Sequence, residues 1–225
     1  MSNSSGLLKS SLAKKYWMAA TGLFLCIFLI GHLVGNLQLL IPGQEGKLQF
    51  NEYALFMTSN PAVKILSYIT YLSILFHAID GLVLTMRNRA ARPQKYAYNK
   101  PSANSIWSSR NMGVLGTIIL AFIILHMSNF WYKMHFGELG TDANGLRDLH
   151  EAVMVSFQEP WIVIVYVISM IAIAFHLVHG FQSGFQSIGL NHPKYMPLIK
   201  KLGMAFAIIV PLAFAIIPVV VFLTH

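Results

Sequence analysis

The chain has 225 residues, of which 56% are hydrophobic and only 11% charged, with a formal net charge of +8. A soluble domain carries about a quarter charged residues, so this composition excludes an ordinary water-surrounded domain and sets most of the chain against lipid or other helices. A single cysteine, Cys26, excludes a disulfide framework and any cysteine-ligated zinc or iron–sulfur site built from this chain alone.

The elements follow in chain order. Lys9, Lys14 and Lys15 precede a first apolar span near Tyr16–Leu40, which is too long for the apolar region of a signal peptide and is expected to stay as an anchor. A second span, near Ala62–Met86, begins after Asn60-Pro61. The residue before a proline resists the helical region, whereas proline suits the first turn. A third covers Met112–Tyr132, a fourth Trp161–Gly184 after Glu159-Pro160, and a fifth Leu202–Leu223. Pro211 and Pro218 predict bends in the last span, tolerable where neighbours satisfy the freed carbonyls. The fold class is all-α: one transmembrane domain over residues 1–225, a bundle of five helices.

The basic residues set the expected orientation. Arg87, Arg89, Arg92, Lys95, Lys100 and Arg110 separate spans two and three, and Lys194, Lys200 and Lys201 separate spans four and five. The other side holds only Lys47, Lys64, Lys133 and Arg147, with seven of the eight acidic residues. The positive-inside rule puts the N-terminus in the cytoplasm and His225 outside. This placement suits a lipid bilayer and no nucleic acid. No glycine-rich phosphate-binding string of the dinucleotide or P-loop kind occurs.

Each of the first four spans carries a histidine deep in its apolar run: His32, His77, His126 and His176. An ionisable residue inside a membrane is costly and points to function, although one such histidine can simply bond a neighbouring helix. Helix direction alternates, so depth pairs them. His32 and His126 fall in the outer half, and His77 and His176 in the inner half. At about 1.5 Å per residue the two levels differ by roughly 10–15 Å. Axial ligation of a haem iron needs one imidazole from each side of the porphyrin at matching depth, so two pairs suit two haems.

Glycines repeat with the histidines. Gly22 and Gly116 precede His32 and His126 by ten residues, and Gly81 and Gly180 follow His77 and His176 by four. Four residues is about one turn, which puts the glycine on the histidine's face and leaves room for a flat ring. Helix–helix packing also uses small residues. His179, three after His176, is the rival inner ligand. His135, His150, His192 and His225 are expected to be solvated.

The strings TGLFLCIFLIGHLVGN (Thr21–Asn36), FHAIDG (Phe76–Gly81) and FHLVHG (Phe175–Gly180), with His126 between the last two, resemble the di-haem cytochrome b subunit of succinate dehydrogenases and fumarate reductases. The b558-type branch, with five helices and both haems in one polypeptide, is the nearest pattern, and the likeness runs from about Lys14 into the last helix. It implies His32 and His126 as ligands of a distal haem b, and His77 and His176 of a proximal one, and it does not require His179. It also implies a flavoprotein and an iron–sulfur subunit on the cytoplasmic face, a bacterial inner membrane, and a membrane quinone, menaquinone in this branch. Bis-histidine ligation leaves no open iron position for oxygen.

Quinone chemistry needs protons, and the candidates near the outer ends of helices one to three are Gln38, Glu52, Asn129 and Trp131. Glu52 is expected either to exchange a proton with quinone or to be an ordinary solvated loop glutamate. Arg110, Ser108 or Lys15 would face haem propionates, and Asp80 would pair with Arg87 or Arg110. Two other readings stand beside this one. The first is a di-haem b subunit of another quinone-linked complex, and the second a transporter using buried histidines and Asp80 as a relay. Transporters usually break helices at the midplane, whereas the prolines here cluster in the last span.

Overall fold

The computed structural model describes residues 11–91 and 105–225; Lys9, Arg92, Lys95 and Lys100, used in the orientation argument, lie outside them. Helices α1 (Ser11–Asn36), α2 (Gly43–Ser59), α3 (Pro61–Ala90), α4 (Trp107–Arg110) and α5 (Met112–His126) come first. A π-helical turn, Met127–Tyr132, then leads into α6 (Lys133–His135). The chain continues with α7 (Leu149–Phe157), α8 (Pro160–Ser187) and α9 (Met196–Thr224). Five of the helical segments are long and apolar enough to cross a membrane: Leu12–Leu40, Pro61–Ala90, Met112–His135, Pro160–Ser187 and Met196–Thr224.

Local chemistry sets the boundaries. Asn60 caps α3, its Oδ1 accepting from the amides of Ala62 at 2.9 Å and Val63 at 3.3 Å, with Pro61 in the first turn. Pro160 likewise stands in the first turn of α8, where Glu159 precedes the helix without a side-chain cap. Helix α9 runs through Pro211 and Pro218, both buried. Every span extends beyond or matches its sequence-predicted range at both ends, because the flanking polar turns remain helical once the apolar centre has nucleated them.

Four spans form a ring. Helix α1 packs on α3 and α8, and α5 packs on α8 and, more sparsely, on α3. The diagonals of the ring are therefore α1 with α5 and α3 with α8. Helix α9 lies outside, against α8 and α1. The larger apolar core sits at the end where α1 and α5 finish; it joins Leu39, Phe50, Val153, Met154, Phe157, Tyr166 and Ile217. Helices α2 and α7 close that capped end. The opposite, basic end carries Lys14, Arg87, Arg110 and Lys200.

Helices α2 and α7 are additions to the sequence reading, which left both stretches as connections. Their cause is a buried polar knot. Asn51, 1% exposed, donates to Asp142 at 3.0 Å and Asp148 at 3.1 Å and accepts from the His150 amide at 3.0 Å. Lys47 pairs with Asp148 at 2.7 Å and with Glu151 at 3.0 Å. Asp148 also caps α7, accepting from the Glu151 amide at 3.0 Å. Gly43, with φ of 77°, turns the chain into α2 in a region that disfavours other residues.

Candidate functional site

The ring diagonals carry the histidines. His32 on α1 faces His126 on α5, with ring centroids 5.7 Å apart and planes at 84°. His77 on α3 faces His176 on α8, at 6.1 Å and 67°. Among the described residues no three His, Cys, Asp or Glu side chains converge as a metal cluster, so each pair offers two imidazole donors and nothing more.

Contacts between neighbouring helices give the spacing of the two pairs. Nδ1 of His77 lies 3.3 Å from the Thr21 hydroxyl on α1. His32 follows Thr21 by eleven residues, which is about 16 Å of helix. Independently, Nδ1 of His126 lies 3.3 Å from the Tyr166 hydroxyl on α8. His176 follows Tyr166 by ten residues, about 15 Å. Both readings give one pair above the other, as the alternation of helix direction requires.

The polar partners of the rings differ. Thr21 donates its own proton to the carbonyls of Trp17 at 2.8 Å and Met18 at 3.2 Å, so its oxygen is free to accept from an imidazole N–H. Tyr166 also receives the Asn129 amide at 3.4 Å. The Asn36 amide donates to the His32 carbonyl at 2.7 Å and lies 3.4 Å from His32 Nδ1. An amide nitrogen is too poor an acceptor to take an Nδ1 proton from the ring. Nδ1 of His176 is buried without a hydrogen-bond partner. Thr21, Tyr166 and Asn36 were not singled out from sequence. The signal was present, since Thr21 and Tyr166 are hydroxyls in apolar runs, ten or eleven residues before the histidine of their own helix and so level with the other pair.

The walls differ too. Around His32 and His126 stand Phe28, stacked on His32 at 5.3 Å, and Phe122, stacked on His126 at 5.7 Å. Phe130 at 5.5 Å from His126 and Phe214 at 5.6 Å from His32 complete this wall. Around His77 and His176 there are glycines instead. A methyl on Gly22 would sit 3.0 Å from His77 Cε1, one on Gly180 would meet His176 Cδ2 at 3.9 Å, and one on Gly116 would touch nothing within 4 Å. Gly81 faces Met18 at 3.6 Å. Gly22 thus serves His77 rather than His32 of its own helix. Close helix packing falls on other glycines: Gly113 against Thr85, Gly184 against Leu23 and Gly203 against Phe181.

The quinone candidates do not gather into one cluster. Asn129 and Trp131 share the π-helical turn but diverge, Asn129 towards Tyr166 and Trp131 donating to the Tyr71 hydroxyl at 2.7 Å. Trp131 also borders a cavity of about 340 Å³ with Met127, Ser128 and Tyr132. Gln38 is half-buried in the 3-10 turn Leu37–Leu40, and Glu52 is exposed on α2, a helix rather than the expected loop.

Four further expectations need correction or placement. His150 is buried, 7% exposed, its ring 6.0 Å from Phe50, because α7 folds it under α2; it is not solvated. Burial pushes its pKa down. His135, His192 and His225 are exposed as expected. Asp80 forms no ion pair with Arg87 or Arg110; among the described residues the only ion pairs are those of Lys47. Arg110 turns instead to the Ser105 carbonyl, while Ser108 is buried and Lys15 exposed. His179 is half-buried on α8, in none of the ring pairs. Compared with family models, curated proteins and solved structures, the chain matches none.

Proposed function

We propose that this chain is the membrane-anchoring di-haem cytochrome b subunit of a succinate:quinone oxidoreductase, carrying electrons between an iron–sulfur subunit and a membrane quinone. The observation that carries this reading is the pair of diagonal histidine contacts at two levels. A metal–imidazole bond is about 2 Å long, so two rings on opposite sides of one iron stand roughly 6 Å apart between centroids. The separations of 5.7 Å and 6.1 Å suit that demand. The orphaned Nδ1 of His176 and the glycine-lined space beside it also suit a large ligand held there.

His32 with His126, and His77 with His176, would hold the two haems, which when bound supply one-electron transfer. The residues around them do the rest. With iron held at Nε2, Nδ1 of His77 and of His126 would carry the proton and donate to the hydroxyls of Thr21 and Tyr166, 3.3 Å away in each case. The four phenylalanines at the capped end exclude water. Glycines 22, 81, 116 and 180 leave the basic end open to a flat ring. In this reading the basic end faces the cytoplasm of a bacterium and receives the iron–sulfur and flavoprotein subunits, and the quinone, menaquinone by resemblance, approaches at the capped end near Gln38, Asn129 and Trp131. Glu52 is the proposed proton exchanger; an E52Q variant with normal haem spectra and normal quinone turnover removes it from that role.

The deciding test is haem content per polypeptide, by reduced-minus-oxidised spectroscopy, for wild type beside His126→Ala and His176→Ala. Two b haems in the wild type, with a different spectral component lost in each variant, are expected. A haem-free wild type from haem-replete cells overturns the proposal and favours a relay of buried histidines.

A further inference from the structure

At the basic end, between the start of α1 and the later part of α3, lies a cavity of about 580 Å³ lined by Ala13, Lys14, Tyr16, Trp17, Ala20 and Asp80. Residues 13, 16, 17 and 20 recur at helical spacing on one face of α1. Asp80 is half-buried, and it is the only acidic residue within the five spans. Neither it nor Lys14 forms an ion pair with a described residue, although both border the same space. An ionisable side chain inside a span is costly unless it finds a partner or a function. Here the protein supplies the two charges and leaves them apart.

The walls say what kind of molecule bridges them. Trp17 is 56% exposed and Tyr16 48%, at the depth where amphipathic rings settle between headgroups and chains. Beyond the cavity, Leu72, Phe76 and Ile79 on α3 are exposed apolar surface of the kind acyl chains cover. The volume falls within the usual range of small-molecule sites, roughly 300–1,000 Å³.

We propose that this cavity holds the headgroup of a phospholipid bearing a primary ammonium, of the phosphatidylethanolamine class, with the ammonium on Asp80 and the phosphate on Lys14. A carboxylate accepts N–H donors, which a primary ammonium has and a quaternary choline lacks. Choline is instead recognised by several aromatic faces, and Trp17 has one face taken by Phe76, stacked at 6.5 Å with planes 13° apart. A lipid that is purely anionic satisfies Lys14 and leaves Asp80 facing like charge. The site rests on the membrane-spanning fold alone and is independent of haem.

The test is native mass spectrometry of the full chain in detergent. The protein is offered an equimolar mixture of phosphatidylethanolamine, phosphatidylcholine and phosphatidylglycerol with identical acyl chains. The ethanolamine lipid is expected to be retained about tenfold over the other two, the ratio one charge-assisted hydrogen bond gives. Asp80→Asn should bring that ratio close to one, whereas Lys14→Gln should lower retention of all three lipids, because each carries the phosphate. Ala20→Leu, which fills the cavity and keeps both charges, should also bring the ratio close to one and serves if a charge variant fails to fold. Equal retention of the three lipids by wild type overturns the proposal. So does a preference for phosphatidylglycerol, or an ethanolamine preference that survives both Asp80→Asn and Ala20→Leu. Haem spectra of the same samples report separately on the cytochrome reading.

Discussion

The capped half and the basic half of the bundle hold equivalent histidine pairs in opposite surroundings. At the capped half the chain closes on itself: phenylalanines stack on both imidazoles, Tyr166 bonds one of them, and α2 and α7 cover the end. At the basic half glycines replace the phenylalanines, the His176 Nδ1 has no partner, and an open cavity is bordered by Asp80 and Lys14, which form no ion pair with a described residue. The capped half walls its pair with the chain's own rings, though the buried Nδ1 of His150 beneath α2 also has no partner, whereas the basic half leaves room beside its pair for something else. In the proposed function that something is a cofactor and two partner subunits.

The comparison can be broken most directly at Gly22. Because a methyl there already sits 3.0 Å from His77, Gly22→Leu should displace that imidazole. The expected result is loss of one b-haem spectral component with the other retained; loss of the His32/His126 component instead would reverse the assignment of glycines to the basic half. Smaller changes come from the hydroxyls. If the proposed function holds, Tyr166→Phe should weaken haem binding at the capped end by about 10–100-fold in affinity, and Thr21→Val at the basic end by a similar factor, the usual effect of removing a partner of a metal-ligating histidine. Haem retention during dialysis against apomyoglobin measures both, and equal effects on the two haems by either variant would dissolve the distinction.

The cap can be loosened without touching a histidine of either pair. Asn51→Ala leaves the His150 amide and its neighbours without their buried partner, at a cost of about 1–3 kcal/mol. Hydrogen exchange should speed up in α2 and α7 and stay unchanged in α3. The smallest effect is that of pH on the same knot. Burial holds His150 below its usual value, so the unfolded cap takes up the proton first and stability falls as pH drops below about 6.5. Asp142 lies low chiefly through the Asn51 amide, and Asp148 lies low because Lys47, Glu151 and Asn51 outweigh its burial. Their contribution is present above about pH 4 and is lost as pH falls through their lowered values. Lys47 is raised, chiefly by its bond to Asp148, so its share is present below about pH 10 and lost above. Protection of the α2 and α7 amides, taken relative to their base-catalysed intrinsic exchange at each pH, should therefore be greatest between about pH 7 and 10; a flat protection profile would show that the knot does not hold the cap.

Much of this arrangement was legible in the sequence because lipid imposes a simple rule. The five spans follow from apolar length, and the pairing of His32 with His126 and of His77 with His176 follows from alternating direction and the helical rise. What escaped depends on contacts between distant residues. Helices α2 and α7 form around Asn51, Asp142 and Asp148, which are some ninety residues apart in sequence, and the burial of His150 follows from them. Gly22 could be seen to matter, but not that it serves the histidine of a neighbouring helix. Asp80 is expected to pair with an arginine because both lie at one end; in the structure it borders the same cavity as Lys14 and pairs with neither arginine.

The π-helical turn after His126 carries one further consequence. Such a turn holds one residue more than the α-helix it interrupts, and each residue advances a helix by about 100°. Rewinding Met127–Tyr132 as α-helix with every residue kept would leave His126 in place and swing everything beyond it by that angle, parting Trp131 from Tyr71, whereas removing one residue along with the turn would keep the phase. The turn therefore acts as a phase shift between two instruments on one shaft. It lets the histidine be set for α1 while Trp131 is set for α3, so that substitutions on either side of it can alter one setting and leave the other alone.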